Sequence, residues 1–320
     1  MRRGISLLEV VVVVGIVALL LAIIVPAVQS ARTAARLTQC KDHLRQLGVA
    51  RSDFASTNAG KFPVRWLQLY PALDARTDFV GITQAEQSGN QIPDFVAGSP
   101  VLFCPSDVVP ARGRRVGYFF NDGTTVQRWN DTPRKSSGIA ADVGEGLVVV
   151  PRNQSEIVDG LSNTTFSSER LIWDRVVDPG SGKEPVPPRR FPWGYTETTE
   201  SIDDMLALHA RKMDWSWALS SMPFDPHNGV SLKPINAPFH SLADEFGTYF
   251  DHVLPPNSRP MFESVQRFSF KSTRPATSLH EGGVNVAFCD GHVRFVSNDI
   301  DPRVWRRLGT RAGREVVELP

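Results

Sequence analysis

Glu9 is the only charged side chain in the stretch from Ile5 to Val25, ISLLEVVVVVGIVALLLAIIV. A carboxylate at the centre of an isolated span costs about 2.5–3.5 kcal/mol on insertion scales and somewhat less near an end, and it persists where a partner neutralises it. Glu9 is therefore a functional residue by default. Near the other end of the chain, His280 precedes Asp290-Gly291 by ten positions. It either hydrogen-bonds the backbone that follows or, with Asp290, contacts a metal or other ligand, and the structural use is the favoured one. Cys40, Cys104 and Cys289 are an odd number, so at most one intramolecular bridge forms. No C-x-x-C, H-E-x-x-H, G-x-S-x-G or G-x-x-x-x-G-K-[ST] occurs, so the usual carriers of zinc, serine-hydrolase and phosphate-loop chemistry are absent. Asp203 and Asp204 suit a helix start better than acid–base work. The expectation is a protein that is not an enzyme, with no cofactor and no metal.

The elements that hold these residues begin with a span. About 20 apolar residues cross a ~30 Å hydrocarbon core as a helix, so residues 5–25 can contact membrane lipid along their whole length. A secretory signal peptide has a shorter apolar region, of 7–15 residues. Arg2 and Arg3 precede the run and no acid lies among the first eight residues, which predicts a cytoplasmic N-terminus and an exported remainder. Across all 320 residues, 35 Lys+Arg balance 34 Asp+Glu, so phosphate neutralisation by the chain as a whole is excluded and no nucleic acid is expected. With 41% hydrophobic residues the chain is not disordered; 24 Gly and 24 Pro predict many turns after the first helix.

After Pro26 the residues are good helix formers, and Leu37, Cys40, Leu44, Leu47 and Phe54 recur at three and four, with Arg51 at the intervening turn. One helix is expected from about residue 6 to 55, roughly 75 Å long. Past residue 60 short apolar runs alternate with Gly, Pro, Asn and Asp. Leu147 to Val150, Phe166 to Trp173, Arg267 to Lys271 and Val284 to Val296 read as strands. In the last run Asp290-Gly291 predicts a two-residue type I′ hairpin, with Val284, Val286, Phe288, Val293 and Phe295 on one face. Asp178 to Tyr195, Met222 to His240 and Pro255 to Pro260 read as loops, and Ile202 to Trp217 as a short helix. Arg303, Arg306, Arg307, Arg311 and Arg314 around Trp305 read as a solvated basic face.

The segment Arg2-Arg3-Gly4-Ile5-Ser6-Leu7-Leu8-Glu9 resembles the class III signal of type IV pilins and type II secretion pseudopilins: a basic leader ending in Gly, an apolar residue, and Glu as the fifth residue of the mature chain. The residue after the glycine is commonly Phe in that class and is Ile5 here. The resemblance implies cleavage between Gly4 and Ile5 by a prepilin peptidase/N-methyltransferase and methylation of Ile5. It further implies that Glu9 sets assembly by pairing with the terminal amine of a neighbouring pilin-like subunit. Loss of residues 1–4 removes Arg2 and Arg3, leaving 33 basic against 34 acidic side chains.

Four later segments, in order, resemble a narrower bacterial family of prepilin-like proteins of unknown function. They are Cys40 followed by His43-Leu44-Arg45-Gln46-Leu47-Gly48; Cys104-Pro105-Ser106; Asp159-Gly160-Leu161-Ser162-Asn163-Thr164 followed by Glu169; and an H-x(9)-D-G signature at His280, Asp290 and Gly291. Because the family places cysteine in both early segments, a Cys40–Cys104 disulfide is implied, leaving Cys289 as a buried thiol. The architecture implied is α+β and pilin-like: a leader over 1–4, a long helix over 5–55 with 5–25 transmembrane, and a mostly antiparallel β domain over 56–320. The expected protein is an inner-membrane, single-pass assembly subunit of a pilus-like or type II secretion-type apparatus, with its C-terminal domain exported. The alternative is a membrane-anchored module that binds carbohydrate or metal outside the membrane and uses the signal for export.

Overall fold

The computed structural model describes residues 7–64, 66–73, 99–107, 117–124, 135–140, 142–143, 149–171, 193–195, 203, 207, 249–258, 261–263 and 272–314. Gly4 and Ile5, the run Arg267 to Lys271, the loop Met222 to His240 and all but two residues of Ile202 to Trp217 lie outside them.

Helix α1 runs unbroken from Leu7 to Thr57 with Pro26 inside it. It has two environments. Side chains at 10–36 are exposed, and this half is long and apolar enough to cross a membrane. From Cys40 onward the expected stripe is buried at Cys40, Leu44, Leu47 and Arg51 and half-buried at Phe54, and Ala50, outside that stripe, is buried with it. Three-to-four spacing places these residues along one side of the helix, the side that meets the globular body.

That body is built on a five-stranded sheet ordered β10-β9-β4-β1-β6. The strands are β1 (Tyr118–Asn121), β4 (Thr165–Glu169), β6 (Tyr249–Phe250), β9 (Gly283–Phe288) and β10 (Val293–Ser297). All neighbours are antiparallel except β1 and β6. Two small sheets stand apart in hydrogen bonding. One pairs β2 (Asp142–Val143) with β3 (Val149–Val150); the other joins β5 (Trp193–Tyr195), β7 (Met261–Glu263) and β8 (Ser272–Thr273). The fold class is α+β, as expected. Strand β5 corrects the reading of Asp178 to Tyr195 as loop throughout; its Trp and Tyr are strand formers, and the prolines precede them.

The sheet is covered on both faces. On one, Cys40, Leu44 and Leu47 of α1 cluster with Phe62, Trp66, Leu69, Tyr118, Phe120, Phe166 and Ala287. Trp66 stacks on Phe120 with ring centroids 4.0 Å apart. On the other, Phe119, Phe250, Val284, Val286, Phe288 and Val296 pack with Trp305 and Leu308. Trp305 and Leu308 belong to helix α2 (Pro302–Gly309), capped by the Asp301 side chain accepting from Arg303 N, with Pro302 in the first turn. The expected solvated basic face holds at Arg303, Arg307 and Arg314, which are exposed, while Arg306 and Arg311 are half-buried. Trp305 is fully buried and donates from Nε1 to Leu254 O at 2.8 Å, while Arg311 donates to Gly138 O at 3.1 Å.

The β9–β10 hairpin also differs from expectation. Phe288 O accepts from Gly291 N and Phe288 N donates to His292 O, both at 2.9 Å. The loop is therefore three residues, Cys289-Asp290-Gly291, and only Gly291 has positive φ, at 95°. A three-residue loop ending in a left-handed glycine replaces the type I′ turn. The extra residue shifts the register by one, so Val293 faces Ala287 and Phe295 faces Asn285. A one-residue shift moves every side chain to the other face. Val293 accordingly packs in the α1-side cluster, opposite Val284, Val286 and Phe288.

Candidate functional site

One residue from each of the four segments singled out in the sequence comes to one point between α1 and the sheet. Cys40 comes from the buried stripe of α1, and Cys104 from the chain just after a 3-10 turn at Pro100–Leu102. Glu169 is the last residue of β4, and His280 lies in the turn leading into β9. All four are buried, and one ligand-type atom from each lies within 4.8 Å of the others. Cys40 and Cys104 form a disulfide, the pairing that the family resemblance implied.

His280 Nε2 stands at the centre of this group, 3.3 Å from Cys104 Sγ and 3.3 Å from Glu169 Oε1. Both carboxylate oxygens accept from Asn285. Asn285 donates from Nδ2 to Oε1 at 2.8 Å and from its backbone N to Oε2 at 3.0 Å. The His280 backbone is set by Ser278 Oγ, which accepts from His280 N at 3.2 Å, and Ser278 N in turn donates to Asn257 Oδ1 at 2.7 Å. Tyr118 closes the α1 side, donating to Cys40 O at 3.3 Å. Burial, reinforced by the nearby Glu169 charge, raises the Tyr118 pKa well above the phenol range. His43, one turn along α1 from Cys40, contacts Phe103 O through Nδ1 at 3.1 Å, and burial lowers its pKa despite that bond.

Asp290 is not part of this group. Its Oδ1 accepts from His292 N at 3.1 Å and lies 2.6 Å from His292 Nδ1 on the exposed turn. His280 and Asp290 thus have separate duties, one in the buried cluster and one in the hairpin. Gly291 supplies the positive φ the turn requires. The run from Asp159 to Thr164 is a clasp. Asp159 Oδ2 accepts from Gly313 N at 2.7 Å and Thr310 Oγ1 at 3.1 Å, and Oδ1 accepts from Arg314 N at 2.6 Å. Gly160 turns the chain at φ 94°, and Asn163 Nδ2 donates back to Asp159 O at 3.0 Å. Thr164 Oγ1 donates to Thr310 O at 3.2 Å, whereas Ser162 is exposed. On its other side the clasp receives the hairpin turn, through Cys289 N to Thr164 O and Asp290 N to Leu161 O.

Cys289 is a free, buried thiol, and burial pushes its pKa up. Its carbonyl accepts from the buried guanidinium of Arg51. Glu9 lies within α1.

Sequence reasoning did not single out Asn285 or Tyr118, and His43 entered it only as part of the segment after Cys40. Asn285 had a signal: it is the one polar side chain in the strand Val284-Asn285-Val286-Ala287-Phe288, and a buried amide in such a place needs a partner.

The molecule is thus an α+β protein whose candidate membrane anchor continues, within one helix, into the wall of a buried disulfide–histidine–carboxylate cluster. Residues 29–303 match the family model described as a protein of unknown function, DUF1559 (SBP_bac_10), and the chain belongs to that family. No curated protein and no solved structure matches it significantly.

Proposed function

We propose that this family member is a prepilin-like subunit: anchored in the inner membrane by residues 5–25, cleaved after Gly4, methylated at Ile5, and assembled with other pilin-like subunits through its N-terminal helix. The observation that carries the reading is the division of α1. Its first half is apolar and exposed, while its second half is locked into the core by a disulfide and a buried stripe. A helix tied so firmly to the body transmits packing at its free half to the whole domain. The basic pair Arg2-Arg3 before the span supports an exported body, and an exported body supports a persistent disulfide. Glu9 in the apolar half supplies the charge that a neighbouring subunit's amine would neutralise.

Intact mass and N-terminal peptide sequencing, from cells with and without an active prepilin peptidase, test the reading. A peptidase-dependent N-terminus at Ile5, carrying a methyl group, is expected. An intact Met1 or Arg2 start in both strains would make α1 a plain anchor and move the extracytoplasmic ligand-binding reading ahead. Glu9→Ala then separates the two: it abolishes co-assembly in the first case and leaves the body's ligand binding intact in the second.

A further inference from the structure

The Cys40–Cys104 bridge is not isolated in an apolar core. Its neighbours are an imidazole nitrogen and a carboxylate oxygen, both buried, and the carboxylate is oriented by two hydrogen bonds from Asn285. Two thiolates, an imidazole and a carboxylate form a tetrahedral donor set for a zinc-class cation. Tetrahedral bonds of about 2.0–2.3 Å place ligand atoms roughly 3.3–3.8 Å apart. The pairs His280 Nε2 to Glu169 Oε1 and His280 Nε2 to Cys104 Sγ already stand at 3.3 Å. The two sulfurs are too close, because they are bonded to each other, and every other pair lies within 4.8 Å.

We propose that the disulfide is the oxidised, metal-free form of a zinc-class site made by Cys40, Cys104, Glu169 and His280, and that reduction of the bridge opens the site to the cation. In the reductive step a dithiol delivers two electrons and two protons: the Cys40–Cys104 S–S bond breaks, two thiols form, and the dithiol closes to its own disulfide. Binding then releases the two thiol protons as the sulfurs become thiolates. The charge change is small. The two thiolates cancel the two positive charges of the cation, so the metal and its sulfurs together bring no net charge into the core. No additional net charge is therefore buried, which is what makes a cation admissible in this core.

Geometry also allows the change. Cys40 is fixed on α1, whereas Cys104 lies outside helix and strand, so rotation of the Cys104 side chain separates the sulfurs without moving α1. Asn285 holds Glu169 in place in both forms, the role that outer partners of metal-binding carboxylates play.

The test uses the full chain in detergent micelles, without oxygen, before and after treatment with a phosphine reductant, with Co(II) as the spectroscopic probe and Zn(II) as competitor. The reduced chain should take up one Co(II) with a thiolate charge-transfer band and intense tetrahedral ligand-field bands, and Zn(II) should abolish both. The oxidised chain should show neither. Glu169→Gln and His280→Ala should each weaken Co(II) binding by about tenfold or more, and Cys289→Ser should leave it unchanged. Absence of the thiolate band in the reduced chain, wild-type affinity in both variants, or dependence on Cys289 would overturn the proposal. Where a variant does not fold, alkylation of the reduced wild-type chain decides: Zn(II) must slow modification of Cys40 and Cys104, and unchanged rates refute the site.

Discussion

Gly48 of α1 and Gly291 of the β9–β10 turn meet backbone to backbone. A Cβ built on Gly48 would lie 3.0 Å from Gly291 Cα and 3.3 Å from Gly291 O. The helix therefore rests directly on the hairpin turn, one turn of helix before Arg51 reaches the Cys289 carbonyl. Two glycines far apart in sequence set how closely α1 approaches the sheet.

Gly48→Ala should destabilise the protein by about 1–2 kcal/mol, despite the ~1 kcal/mol that alanine gains over glycine inside a helix. The clashing atoms are backbone and cannot rotate away. Gly291→Ala should cost a similar amount through its positive φ. Urea denaturation of each variant checks both; a stabilised Gly48→Ala would show that the turn can retreat from α1.

Joint replacement of Cys40 and Cys104 by serine should lower stability by roughly 2–4 kcal/mol, since the bridge spans 64 residues and constrains a large loop of the unfolded chain. Denaturation under non-reducing conditions measures it. An unchanged midpoint would mean that packing of the α1 stripe alone holds the helix on the body.

Asp251 and His252 are buried neighbours with opposite pH dependence. Burial lowers the His252 pKa to about 3 and, against two backbone N–H bonds, raises that of Asp251 to about 6. The stability linked to His252 is full above about pH 6.5 and is lost as pH falls toward 3; that linked to Asp251 is full below about pH 4 and is lost as pH rises through 6. Between about pH 4 and 6 the two slopes oppose. Asp251→Asn should therefore unmask a loss of about 1.4 kcal/mol per pH unit on acidification across that window. Urea midpoints of wild type and variant at several pH values test this, and parallel curves would rule it out.

Asp159→Ala should cost about 2–4 kcal/mol, because three donors at residues 310, 313 and 314 lose a largely buried carboxylate acceptor at once. Hydrogen exchange at Gly313 and Arg314 should accelerate beyond the global change. Unaltered protection there would mean that α2 holds the C-terminal segment without the clasp.

Elements carried by local periodicity were legible in the sequence. The 3.6-residue stripe of Leu37, Cys40, Leu44, Leu47 and Phe54 marked both the length of α1 and its buried side, and the uncharged run before Pro26 marked its apolar half. Alternating apolar residues located β9 and β10. Their relative register was not legible, because Asp-Gly is compatible with a two- or a three-residue loop and the choice depends on contacts from elsewhere. Here Thr164 O and Leu161 O fix the turn's amides, and Gly48 abuts Gly291. Helix α2 went unread because eight residues carry too little periodicity, and its burial rests on Trp305 and Leu308.

The cluster shows the same division more sharply. Resemblance to the family, segment by segment, marked Cys40, Cys104, Glu169 and His280 as notable, each within its own segment. That they touch was decided by the tertiary structure, since contacts spanning up to 240 positions arise from sheet order and the seating of α1, which no local pattern encodes. For the same reason only the fold separated His280 from Asp290, ten residues apart in the chain but placed in a buried site and an exposed turn.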